Sequence, residues 1–237
     1  MGDRGSMRVK AITPIRVGDA ELSRRQERYR ALAPASLDVV HFDLSQDDGV
    51  PESLDSEAAI RASERFVIEE ALATDPEAYD AVLPDCVLDS GLDTLQRESP
   101  VPAFGILQLS AGFLSALGLR FASVTRNRPI GDELRSRLLG YGYATRFDGN
   151  VVLDLDFTDV ANDARWNEAL AGVLGRFEGS STKAVINGCS AVELGDREPG
   201  GPALVDPTGL ALRILDDADD AELLPLPAGA AAPGGPR

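Results

Sequence analysis

Histidine occurs once in this 237-residue chain, at His41; cysteine occurs twice, at Cys86 and Cys189, and lysine twice, at Lys10 and Lys183. So few imidazoles and thiols exclude a transition-metal cluster of the usual ligand spacing, so any metal would rest on carboxylates and none is expected. They also exclude a disulfide framework, and two free thiols fit a reducing compartment. No apolar run reaches the roughly 18 residues that cross a bilayer, and MGDRGSMRVK lacks the apolar stretch of a signal peptide. The expectation is a cytoplasmic protein with no membrane contact. Walker-type loops and a Gly-x-Gly-x-x-Gly after a first strand are missing too, so no nucleotide cofactor is expected. Positive charge is scarce, with 23 Lys and Arg against 39 Asp and Glu and a net charge of −16. That balance excludes nucleic acid as a partner, because phosphate binding needs clustered cations.

What is present is an alternation of short β-rich runs with longer segments of helical period, the pattern of parallel strands joined by crossover helices. Strands are read at 8–15, 37–44, 79–86 and 101–106, with helices at 20–33, 56–72 and 91–98 between them. The series then restarts. Helices at 108–117, 132–139 and 163–177 alternate with strands at 120–125, 143–149, 182–189 and 202–207, and a closing helix spans 208–219. Residues 1–6 carry no fold signal. The Pro-, Gly- and Ala-rich tail, 221–237, reads as disordered.

The two series resemble each other in more than order. ITPIRVGDAEL (12–22) is echoed by VTRNRPIGDEL (124–134), which pairs Thr13 with Thr125 and Arg16 with Arg128; AVLPDC (81–86) is echoed by AVINGC (184–189). Such a repeat implies two half-domains built alike. Residues 7–106, completed by the helix at 208–220, form the first half, and residues 107–207 the second. Both cysteines fall at the carboxyl ends of equivalent strands, where open parallel sheets collect ligands. If the halves face each other, one thiol stands on each side of a shared cleft. That geometry removes a proton from one face of a carbon and returns it on the other.

A thiol can be lowered into reach of neutral pH by helix N-termini, and a thiolate base with a neutral thiol partner suits this chemistry. The carbon acid is far weaker than a thiol, so the developing enolate needs hydrogen-bond donors. Thr13, Thr125 and Ser190, at strand ends, are candidates to supply them. A buried free cysteine is usually a small hydrophobe, but two placed equivalently in a repeat, with none elsewhere, favour a function. His41 reads as structural, and paired acids such as Asp216-Asp217 read as solvated.

Three segments resemble the aspartate/glutamate racemase superfamily and, within it, the hydantoin racemase branch. GVPESLDSEAA (49–59) is similar to the branch's Gly-Pro-x-Ser-Ile loop, with Val50 inserted and Ser53 at the serine. DCVLDSGL (85–92) is similar to Cys-Phe-Gly-Asp-Pro-Gly-Leu at Cys86, Asp89, Gly91 and Leu92, and NGCSAV (187–192) to Gly-Cys-Ala-Gly-Met at Gly188 and Cys189. The resemblance runs from residue 8 to about 216. It implies two pseudo-symmetric flavodoxin-like α/β halves, each a four-stranded parallel sheet flanked by helices, with the active site between them. It also implies cofactor-independent chemistry, with Cys86 and Cys189 as an alternating acid and base. The first strand departs from the branch's Asn-Pro-Asn-Thr type of segment, having Thr13-Pro14-Ile15-Arg16 instead. Arginine in place of amides favours an anionic substrate.

The sequence therefore points to a racemase or epimerase that inverts a carbon next to a carbonyl in a small amino acid, hydantoin or related acid. Cys86 and Cys189 are expected to be catalytic, and Thr13, Arg16, Ser53, Thr125, Arg128 and Ser190 to bind substrate. The alternatives are a cysteine-dependent cis-trans isomerase of a maleate-like diacid and a non-catalytic small-molecule binder. The expected partner is a small anionic molecule, with assembly into a homo-oligomer left open.

Overall fold

The computed structural model describes residues 6–44, 48–195 and 200–224. The elements run β1 (Met7–Ile12), α1 (Asp19–Leu32), β2 (Leu37–Phe42), α2 (Glu57–Leu72), β3 (Ala81–Pro84), α3 (Leu92–Glu98), α4 (Ile106–Ala116), β4 (Phe121–Thr125), α5 (Arg128–Gly140), β5 (Phe147–Val152), α6 (Asp163–Leu174), β6 (Ala184–Asn187), β7 (Ala203–Val205) and α7 (Pro207–Asp220). Two parallel sheets result, ordered β2-β1-β3 and β5-β4-β6-β7. The orders match strand for strand, as a duplicated α/β unit requires.

Burial explains which runs become strands. AVLP of β3, FASVT of β4 and AVIN of β6 are buried at every position, as strands covered on both faces by helices must be. Helix starts are written locally as well. The Ser56 side chain accepts from the Ala59 N–H to cap α2, Asn127 from Ile130 to cap α5, and Asp206 from Thr208 and Gly209 to cap α7, which then opens on Pro207.

Two expectations need correction. The fourth strand of the first half, at 101–106, is reduced to a single bridge between Val82 and Ala103, because α4 starts at Ile106 and consumes the rest of that run. The strand read at 143–149 lies instead at Phe147–Val152, since the Arg146 N–H returns to the Tyr143 carbonyl in a turn. Of the tail read as disordered, Ala221 and Glu222 form a turn closing α7, and 225–237 lie outside the described residues.

α7 packs Ala211, Leu212 and Leu215 onto the first sheet, beside Val9, Tyr29 and Leu83. Between the halves lies one continuous apolar cluster. Ile15, Leu54, Cys86, Val87 and Leu88 of the first half meet Phe121, Ile130, Leu134 and Ile186 of the second. Ion pairs rim this seam, with Arg61 on Glu133 and Arg137 on Glu64.

Candidate active site

The two cysteines are placed by the same device in each half. At the end of β1 the Ile12 carbonyl accepts from the Asp85 N–H at 2.8 Å, and at the end of β4 the Val124 carbonyl accepts from the Gly188 N–H at 2.7 Å. The next residue in each case is the cysteine. Each sulfur then faces the N–H two residues on: Leu88 N–H donates to the Cys86 sulfur at 3.4 Å, and the Ala191 N–H stands in the same relation to Cys189. Both thiols line one cleft between the halves, of about 490 Å³ with its open mouth included. Its walls are largely apolar, with Pro14, Ile15, Leu54, Ile130 and Phe157 among them, and its charged side chains are Arg25, Asp85 and Arg126.

The thiols differ in surroundings. Burial pushes the Cys86 thiol up to about 12; the Leu88 N–H works against this, and the charge of Asp85 adds to it. Cys189 is also raised, by burial first, but the Ala191 N–H and the charges of Arg25 and Arg28 pull it back. Behind the thiols, the Asp85 carboxylate is fully buried. It accepts from Arg25 at 2.9 Å and from the Tyr29 hydroxyl at 2.6 Å, with His41 Nε2 at 3.5 Å. Burial alone would raise Asp85, yet Arg25, then His41 and Tyr29, outweigh it and hold the carboxyl well below the usual carboxylate range. His41 packs edge-on against Tyr29.

Of the residues expected from sequence to bind substrate, Ser190 lines the cleft, and its hydroxyl donates across the seam to the Asp85 carbonyl at 3.1 Å. Arg16 lines an adjoining hollow that shares Phe157 and Val160 with the cleft. Thr13 is fully buried beneath the cleft-lining Pro14 and Ile15, and Ser53 turns its hydroxyl to Asp55 while its neighbour Leu54 faces the cleft. The Thr125 hydroxyl is spent on the Asn127 carbonyl and the Asn150 amide.

Arg128 is the clear correction. Its side chain is 85% exposed and pairs with Asp132. Asn127 caps α5 immediately after β4, so Arg128 becomes the first helical residue and points to solvent, whereas Arg16 sits in the longer loop before α1.

Two arginines that the sequence reading did not single out line the cleft, Arg25 and Arg126; Arg126 is the one beside the end of β4. It is buried, donates to the Leu155 carbonyl, pairs with Asp55 of the opposite half, and lies 5.7 Å from the Phe157 ring centre. The signal available was its place directly after a parallel strand, obscured by Arg128 two residues later, which the repeat pairs with Arg16. Asp85 was missed as well, and its one sequence signal is that it is an acid ending an apolar run. Arg25 had no such signal, because α1 reads as a basic surface helix although Arg25, Arg28 and Tyr29 form its buried face. Among the described residues no group of three or more His, Cys, Asp or Glu side chains is arranged to hold a metal, and no helix is long and apolar enough to cross a membrane.

Solved structures share this architecture. Allantoin racemase from Pseudomonas fluorescens superposes with a TM-score of 0.75 at 19% identity, over 92% of this chain and 93% of its own. Allantoin racemase from Klebsiella pneumoniae gives 0.73 at 16%, over 92% and 90%, and aspartate racemase from Picrophilus torridus 0.62 at 12%, over 93% and 96%. At these identities the likeness is one of fold. No curated protein matches the chain by sequence. The family model described as Asp/Glu/hydantoin racemase, however, matches residues 25–215, a stretch that holds both cysteines, the second half and the first half from within α1 onward. The chain belongs to the Asp/Glu/hydantoin racemase family, and it is an isomerase of the racemase type.

Proposed function

We infer that the protein inverts a carbon next to a carbonyl by moving protons between Cys86 and Cys189, on a small amino acid, hydantoin or related acid that carries an anionic group. The observation that carries this reading is the pairing of the two thiols in one cleft, at equivalent strand ends of two facing halves. A thiolate on one side takes the proton, the neutral thiol on the other delivers one, and the planar enolate between them inverts. The apolar wall strengthens every charge interaction inside the cleft.

Arg126 is the ligand expected for the substrate anion, in the role the sequence assigned to Arg16 and Arg128. Its partner Asp55 has a side chain 51% exposed, so a substrate carboxylate can replace it and release it to water at little cost. The guanidinium then lies where it can also stabilise the developing enolate.

The test is incubation in heavy water of small amino acids, hydantoins and 2-substituted acids, each as a single enantiomer. Deuterium gain with loss of optical rotation, dependent on the protein, supports the reading. A covalent adduct on one cysteine, seen by mass spectrometry, would replace it with the cis-trans isomerase.

A further inference from the structure

The space around the thiols does not end with the cleft. Where the chain leaves β1, Pro14 and Ile15 line the cleft, and the next three residues, Arg16, Val17 and Gly18, line the adjoining hollow. Across from them, the 3-10 turn Phe157–Ala161 presents Phe157 and Val160 to both spaces, and Ala161 to the hollow alone. A further tie is ionic. Glu21 lines the hollow, and its carboxylate accepts at 2.8 Å from Arg25, which lines the cleft. A shared wall, a continuous run of chain and an ion pair thus join the two spaces.

The hollow measures about 670 Å³ with its open mouth included, against about 490 Å³ for the cleft. Its walls are largely apolar, with Val17, Phe157, Val160 and Ala161 among them. Glu21 is committed to Arg24, at 2.7 and 2.9 Å, as well as to Arg25, so its charge is already matched. An apolar hollow open beside a reaction site gains free energy when a ligand takes that surface out of water. The Phe157 ring also lies 5.7 Å from the Arg126 guanidinium, so a molecule with its anion on Arg126 sets its neighbouring group against this wall.

We propose that the hollow is the outer part of the substrate site, taking an apolar substituent, an aryl ring or branched alkyl chain, of the molecule whose reacting carbon lies between the thiols. Phe157 and Val160 are then the specificity-determining wall along which that substituent passes. That the occupant is a substrate rests on the proton-transfer reading above; that the second compartment binds an apolar group does not.

Because both thiols line the cleft, the room beyond them can be read by alkylation. The probes are N-ethylmaleimide and N-benzylmaleimide, each rate divided by that of the same reagent with glutathione. In the wild-type protein the benzyl reagent should be favoured by about tenfold, the scale of taking an added ring out of water. Ala161 is exposed, and a Cβ at Gly18 would meet nothing within 4 Å, so Ala161→Trp and Gly18→Leu fill the hollow from its two sides without entering the core. Each should bring the benzyl preference down toward one, slowing the benzyl reagent more than the ethyl one, with circular dichroism checking the fold. A wild-type preference of one or less overturns the proposal, as does a preference that survives both variants, or thiols that react with neither reagent. Deuterium exchange in heavy water, on alanine and phenylalanine and the hydantoins made from them, separates the two readings. A protein that racemises but shows no benzyl preference keeps the racemase reading and loses this one. A benzyl preference abolished by the variants, in a protein that labels none of these compounds, supports the apolar compartment and counts against the racemase reading.

Discussion

The Gly188 amide lies 2.7 Å from the Val124 carbonyl oxygen, and a Cβ at position 188 would stand 2.2 Å from that same oxygen. The obstacle is backbone, not the end of a flexible side chain, so it cannot swing aside. This contact holds β6 against the end of β4 and sets where Cys189 begins.

Gly188→Ala is therefore expected to destabilise the protein by about 1–3 kcal/mol, the usual cost of overpacking a tight interior, and to move Cys189 off its side of the cleft. Activity should fall further than stability explains, since a displacement of about 1 Å in reacting groups costs about a hundredfold in rate. Thermal unfolding and turnover, measured on the same preparation, check both. An unchanged melting point with full activity would show that the loop relaxes without moving the thiol.

Arg126→Met should raise KM by about one to two orders of magnitude, as expected for losing a charged hydrogen bond of about 1.5–3 kcal/mol. Arg128→Met should leave kinetics as they were, because Arg128 is turned to solvent on the first turn of α5. Steady-state kinetics on the two variants with one substrate decide it. A larger effect from Arg128 than from Arg126 would remove Arg126 from the anion site.

The contrast between these two arginines shows what the sequence could and could not carry. Most strands, the helices and the strand-end places of both cysteines follow from periodicity and the repeat, which act over short spans. Arg16 and Arg128 match in spacing, but the loop before α1 is longer than the one before α5, and helix capping by Asn127 turns Arg128 outward. Arg25 was illegible for a different reason. Its burial depends on Asp85, 60 residues away, and nothing local in SRRQERYR distinguishes the arginine that finds a buried carboxylate from those that do not.

The Cys86 thiol, held protonated up to about 12 against an ordinary 9.0, makes the fold sensitive to alkali. Above 9.0 the unfolded chain loses this proton while the folded one keeps it. Protons then bind the folded state more, and stability falls as pH rises from 9.0 toward 12. Below 9.0 the group contributes no pH dependence. Near pH 10 the wild-type protein should have lost about 1 kcal/mol through this group, and Cys86→Ser should lack that part of the decline. Urea midpoints at neutral pH and near pH 10 on both proteins measure the difference. Parallel slopes would mean that the thiol ionises inside the fold.

Deuterium exchange by the single-cysteine variants separates a thiol pair from one working thiol. In the proposed mechanism each sulfur works from its own side of the cleft and serves one enantiomer as base and the other as acid. A serine hydroxyl is too weakly acidic to take over either role. Cys86→Ser and Cys189→Ser should therefore both lose interconversion. Once ionised, the surviving thiol can still take the proton from the enantiomer that faces it and, after exchange with heavy water, return a deuteron to the same face. Each variant is expected to label one enantiomer without inverting it, and the two variants to label opposite enantiomers. Mass spectrometry after chiral separation reads both results at once. If both variants label the same enantiomer, or either still racemises near the wild-type rate, proton transfer does not alternate between these sulfurs. Loss of all exchange in Cys189→Ser, with Cys86→Ser fully active, would leave Cys189 as the only working thiol and Cys86 as a packed side chain of the seam.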